Sequence, residues 1–328
     1  MDILNAISDN VLSPPILFFA LGVIAGFAKS DLKIPGSISR YLSLYLMMAI
    51  GFKGGVAIAN THDLNGEVMM TIAAGLAFGF LQPFLGYRLL RWTTKVDSPT
   101  AAAIAAHYGS ISMVTFVTAA AFLKAHDVVY AGYIVAVLAL MEAPAILSAL
   151  FIAHRAAPET LKKDPGETKM AREILANGAI LLLFGSFIIG WVTGQPGMDK
   201  MSAFLVDPFQ GILALFLLDM GLLVASNLQH LRSFTLPLAL FGVYMPVIGA
   251  AIGLTLSRLI GLDVGTGTLF IVLCASASYI AVPAAMHLAL PAAKPSIYLP
   301  LSLGITFPLN VTLGVPVYYA LAKHFLSP

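Results

Sequence analysis

Long apolar runs separated by short polar connections make up almost the whole of this chain. Ten such runs lie near 11–28, 37–60, 67–90, 99–123, 128–153, 174–193, 209–227, 234–260, 267–290 and 297–324. A helix needs about 20 apolar residues to cross the hydrocarbon core of a bilayer. The pattern therefore predicts an all-α integral membrane protein with ten transmembrane helices. The longest connection, 154–173 (HRAAPETLKKDPGETKMARE), carries charges of both signs and reads as a solvated linker between 1–153 and 174–328.

Charge fixes the expected orientation. If the first connection is cytoplasmic, that side collects 13 Lys and Arg residues, among them Lys29, Arg40, Arg91, Lys162 and Lys294. The other side receives four, Lys124, Lys200, Arg258 and Lys323, while Lys53 falls inside a span. Cationic residues concentrate on the cytoplasmic side, so the linker is expected in the cytoplasm and both termini on the non-cytoplasmic side. The first ten residues hold two aspartates and no lysine or arginine, the reverse of a signal-peptide start.

Composition agrees with the membrane assignment: 59% of the 328 residues are hydrophobic, 10% are charged, and mean hydropathy is +0.90. A soluble domain is roughly a quarter charged, so most of this surface must face lipid. A net charge of +2 gives no reason to expect a nucleic-acid partner. The single cysteine, Cys274, excludes an internal disulfide.

Shifting the chain by about 165 residues brings similar segments into register. Gly54…Asn60 falls on Gly221…Asn227, Gly109-Ser-Ile-Ser112 on Ala275-Ser-Ala-Ser278, Tyr133 on Tyr298 and Pro144 on Pro308. Each half holds five spans, an odd number, so the second is expected to insert upside down. A 5+5 inverted repeat with its site at the repeat interface is the plan of many secondary transporters.

Spans 4 and 9 are interrupted near mid-membrane by His107-Tyr-Gly-Ser-Ile-Ser112 and Ala275-Ser-Ala-Ser-Tyr279. Small residues serve close helix packing, but Gly and Ser at the same ordinal helix of both halves also suit a pair of broken helices. Helix N-termini exposed at such breaks attract an anion without a buried arginine. Pro144 and Pro308 interrupt spans 5 and 10, freeing the carbonyls of Leu140 and Gly304. Glu142, Thr306 and Asn310 lie within about a turn and add oxygens suited to Na+ or a proton. A carboxylate within a span is costly and usually functional. Lys53 and Asp219, 166 residues apart, read as a structural ion pair ahead of direct substrate contact, and His107 as a satisfied packing residue ahead of a ligand. No clustered metal-ligand spacing, phosphate loop or nucleophile–base set is present, so no enzyme activity and no organic cofactor are expected.

These residues resemble the sodium-dependent bicarbonate transporters of the cyanobacterial type. The resemblance rests on Gly51-Phe-Lys-Gly-Gly-Val-Ala-Ile-Ala-Asn60, Gly109-Ser-Ile-Ser112, Met141-Glu-Ala-Pro-Ala145 and, most specifically, Pro291-Ala-Ala-Lys-Pro-Ser-Ile-Tyr298. It implies a homotrimer in a bacterial inner membrane that moves bicarbonate with Na+ by an elevator-type mechanism. A gate domain would come from spans 1, 2, 6 and 7, and a core domain from spans 3–5 and 8–10. Substrate would bind at Gly109, Ser110, Ser112, Ser276, Ser278 and Tyr279, and Na+ at Glu142, Thr306 and Asn310. The chain departs from the family pattern at Met113 and Val114, which stand in place of Gly-Ser, and at Tyr279, which replaces an aspartate. Its linker is also much shorter than the one associated with docking of a PII-like regulator. Transport of another small anion or carboxylate, coupled to Na+ or H+, is the alternative. A channel would need a continuous polar pore, whereas the polar residues cluster at mid-depth.

Overall fold

The computed structural model describes residues 7–8, 10–60, 66–156, 178–228, 234–279, 282, 286, 290 and 292–327. Each predicted apolar stretch carries helix, and no strand occurs among the described residues. In chain order the helices are α1 (Pro14–Phe27), α2 (Gly36–Ala59), α3 (Gly66–Thr93), α4 (Ser98–Gly109), α5 (Met113–Ala125), α6 (Ile134–Leu140) and α7 (Glu142–Ala156). They continue as α8 (Gly178–Leu205), α9 (Phe209–Leu228), α10 (Leu236–Ile260), α11 (Val264–Ala275) and the continuous run α12 (Pro295–Leu326). Six helical stretches among the described residues are long and apolar enough to cross a membrane: α2, α3, α4 with α5, α9, α10 and α12. Side chains such as Trp92 (83% exposed) and Val192 (79%) stand outward, as an apolar solvent permits.

Local chemistry sets the helix limits. Asp97 caps α4, its carboxylate accepting from the Thr100 N–H at 2.9 Å; Asp263 caps α11 identically through Thr266 at 2.9 Å. Such caps satisfy a donor that the first turn leaves free. α10 stops at Gly261, which takes a left-handed conformation (φ 88°) open to glycine. α8 bends at Gly194 (φ 56°, ψ −151°), the residue after the predicted end of span 6.

Prolines act as expected, though not where the simple rule places them. Span 5 breaks at Met141, between α6 and α7, three residues before Pro144. In α12, Pro308 is flanked by two widened π-helical turns, Ser302–Thr306 and Asn310–Gly314. The wider turns shift backbone bonding by one residue, so that the Phe307 N–H donates to the Ser302 carbonyl and the Val315 N–H to that of Asn310. Asn10, from the N-terminal segment, donates to the carbonyls of Val311 (2.8 Å) and Thr312 (3.0 Å).

The most extensive helix packing joins α2 to α8 and α1 to α9. Both seams rest on glycine. A Cβ on Gly55 would lie 1.9 Å from the Phe187 carbonyl oxygen, and one on Gly190 would lie 2.2 Å from that of Phe52. The other seam repeats this, with Gly22 against Leu218 (2.1 Å) and Gly221 against Phe19 (2.2 Å). Small residues let backbones meet where lipid provides no hydrophobic drive between helices.

Candidate functional site: two crossing helix breaks

α4 and α11 are each 12 residues long, begin on an Asp-x-x-Thr cap and end at a serine in extended conformation. Ser110 has φ −93°, ψ 170°, and Ser276 has φ −92°, ψ 170°. Their outer ends are anchored reciprocally. The Ala131 N–H, in the connection before α6, donates to Thr266 Oγ1 at 2.8 Å; the Lys294 N–H, before α12, donates to Thr100 Oγ1 at 3.1 Å. Lys294 Nζ also pairs with Asp97 at 3.0 Å, the one ion pair among the described residues. Burial alone would raise the Asp97 carboxyl, but the Thr100 hydrogen bonds and the Lys294 ammonium hold it below the ordinary carboxylate value.

The inner ends of α4 and α11 meet. The Ser278 N–H donates to the His107 carbonyl at 2.8 Å, and His107 Nδ1 lies 2.5 Å from the Ser278 carbonyl oxygen. Since a carbonyl only accepts, that ring carries its proton on Nδ1 and presents Nε2 as an acceptor. The Ser112 N–H donates to Ser276 Oγ at 2.9 Å. Ser112 then caps α5, its Oγ receiving Thr115 Oγ1 at 2.9 Å and the Thr115 N–H at 3.3 Å. The first turn of α5 leaves the Met113 and Val114 N–H groups without acceptors in their own helix, facing the crossing with the positive end of the helix dipole.

Three buried polar atoms on these breaks lack a hydrogen-bond partner among the described residues: Ser110 Oγ, Tyr279 Oη and His107 Nε2. The side chain of Ser112 is the polar neighbour of the Tyr279 hydroxyl. Buried polar groups are nearly always paired, because leaving one unpaired costs about 1–3 kcal/mol. Their concentration here makes the crossing the candidate site. His107, expected as a satisfied packing residue, is paired at Nδ1 and has no partner at Nε2 among the described residues.

The remaining predicted site residues divide by role. Gly109 is a packing position: a Cβ there would lie 2.4 Å from Pro83 Cγ and 3.2 Å from Ala145 Cβ. Its counterpart contact, 166 residues on, puts Gly249 of α10 against the Cys274 carbonyl, 2.1 Å from an added Cβ. Thr306 Oγ1 donates to the Gly242 carbonyl (2.7 Å) and pairs with the Tyr108 hydroxyl (2.6 Å). Asn310 Nδ2 donates to the Ala275 carbonyl (2.9 Å) at the end of α11, and its Oδ1 accepts from Tyr318 (2.8 Å). Glu142 begins α7, but its side chain lies outside the described residues. No cluster of three or more His, Cys, Asp or Glu residues occurs among those described.

Sequence reasoning missed Tyr108, Thr115, Asn10 and the two caps. The caps had a legible signal, Asp97-Ser-Pro-Thr100 repeating as Asp263-Val-Gly-Thr266 at the same 166-residue offset. The expected Lys53–Asp219 ion pair does not form. Lys53 Nζ sits 4.0 Å over the Phe209 ring, and Asp219 has the Ser39 side chain as its polar neighbour. Asp219 is ten residues beyond Phe209 on α9, about 15 Å along the helix axis.

The long apolar helices are those of a membrane protein, and three of the four buried polar side-chain atoms without a partner among the described residues lie at this crossing. The chain belongs to the Na+-dependent bicarbonate transporter superfamily, which it matches over residues 14–323. No individually curated protein matches it.

Proposed function

We propose that this protein is a Na+-coupled bicarbonate symporter whose two five-span halves form an inverted repeat. The observation that carries the reading is the crossing of α4 and α11, with its three unpartnered buried polar atoms beside the N-terminus of α5. Bicarbonate is a small planar anion with one hydroxyl. The Ser110 and Tyr279 hydroxyls and the free N–H groups of α5 would supply donors to its oxygens. Ser112, Ser276 and Ser278 hold the two breaks in place, and Gly109 permits the close packing behind them.

The Na+ reading rests on Glu142, Thr306 and Asn310. Thr306 Oγ1 and Asn310 Oδ1 each accept one hydrogen bond and keep a lone pair for a cation. The widened turns on either side of Pro308 bring further carbonyls out of regular register. The inverted repeat is supported by matched caps, matched extended serines, reciprocal threonine anchors and the paired glycine seams. We assign the seam helices α1, α2, α8 and α9 to a gate domain and the rest to a moving core, in a homotrimer with both termini outside the cytoplasm. The replacements at Met113, Val114 and Tyr279 favour one second reading, another small carboxylate as substrate.

The test is uptake of radiolabelled bicarbonate into proteoliposomes under imposed Na+ or pH gradients. An inward Na+ gradient should drive accumulation, and E142Q should weaken Na+ dependence more than it weakens folding. Uptake that follows only the pH gradient would transfer coupling to H+. Uptake of formate or acetate in preference to bicarbonate would favour the second reading.

A further inference from the structure

Lys53 is a charged side chain within a span that the proposed site does not use. It lies six residues before the C-terminal end of α2, about 9 Å inside the helix. It makes no ion pair among the described residues; its ammonium rests on the Phe209 ring, 4.0 Å from the centroid. An ionisable group at membrane depth is retained for function far more often than for stability. A second cation, Lys124 at the end of α5, is close enough for the two charges to repel. Both line one open cavity of about 540 Å³ between α2, α5, the connection after α5, α6, α8 and the start of α9. Among the described lining residues Asp127 is the one acid, and Gln210 adds an amide.

Among the described lining residues, two ammonium groups against one carboxylate give the cavity a positive balance. A cleft lined by one sign of charge with low-dielectric walls concentrates counter-ions. The cavity also lies between a seam helix, α2, and the helix that begins at the crossing, α5. Lys124 is 12 residues beyond Ser112, so the cavity lies about 18 Å from the crossing along α5. It is therefore a separate place from the crossing itself.

We propose that Lys53 and Lys124 form an anion-collecting vestibule that loads small monoanions toward the crossing. The cavity itself stands on geometry alone. Its role in bicarbonate uptake, and its opening on the non-cytoplasmic side, rest on the function and orientation proposed above.

The experiment uses iodide as the probe and F209W as the reporter, in a W92F/W191F background that leaves no other tryptophan. Tryptophan keeps the cation–π contact with Lys53. At constant ionic strength, iodide should quench F209W along a saturating curve that bicarbonate displaces. K53Q should abolish the saturating part, and K53R should restore it. K124Q, which alters an exposed side chain and spares the fold, should reduce it. In transport, K53Q should raise the bicarbonate KM about 5–10-fold at low salt. The gap should close near 0.5 M salt, where screening shortens to a few ångströms. Quenching that is linear and unaffected by K53Q or K124Q would overturn the vestibule. Saturable iodide binding in a protein that takes up no bicarbonate would uphold the vestibule and defeat the function proposed above.

Discussion

Two kinds of helix contact divide this protein. Along the α1–α9 and α2–α8 seams, glycines bring backbone against backbone, with no room for a single added carbon. At the α4–α11 crossing the helices stop, and serine, histidine and backbone groups bond across the gap. The seam contacts fill space with backbone and small side chains. The crossing holds three buried polar atoms without partners among the described residues. On the function proposed above, the first region serves as scaffold and the second as ligand site.

The largest expected effect comes from breaking a seam. In G55A the new Cβ would meet a backbone carbonyl at 1.9 Å, which no side-chain rotation relieves. Overpacking usually costs about 1–3 kcal/mol, occasionally more, and this site belongs at the upper end. The Tm of purified G55A should fall by many degrees, with activity lost in proportion to folded protein. A near-native Tm would mean that the seam slides open cheaply.

Breaking the crossing should cost less. S276A strands the buried Ser112 N–H, for a loss of about 1–3 kcal/mol, and should slow transport more than the drop in Tm explains. A parallel loss of both would make Ser276 a structural bond alone. Smaller still is the outer cap. D97A removes the acceptor for Thr100 and the partner of Lys294, at about 1 kcal/mol, since the exposed ion pair adds little. Because the folded-state pKa of Asp97 is depressed, its contribution is present at neutral pH. It disappears as pH falls through the folded pKa, below the ordinary value of about 4. Wild type and D97A should therefore converge in stability in acid, as thermal melts at pH 7 and pH 3 would show.

The same contrast explains what could be read from the sequence. Apolar runs require only length, so the helical stretches were legible, and Gly-Ser clusters at matched offsets located both breaks. Bonds between halves were not legible, because they depend on where two distant segments meet. The Lys53–Asp219 expectation shows the trap: a matched offset of 166 residues in the sequence does not make two residues neighbours in the fold. Proline positions were clear too, but not how the chain absorbs them. Span 5 does so with a break at Met141, and α12 with widened turns.

Ser110 offers the most direct test of the crossing as a binding site. Its hydroxyl is buried, with no partner among the described residues. Removing a desolvated, unpaired group should leave stability unchanged or slightly raised. If that hydroxyl waits for bicarbonate, S110A should keep its Tm while the KM for bicarbonate uptake rises about tenfold, a loss of roughly 1.4 kcal/mol of binding. An unchanged KM in a stably folded S110A would contradict the account.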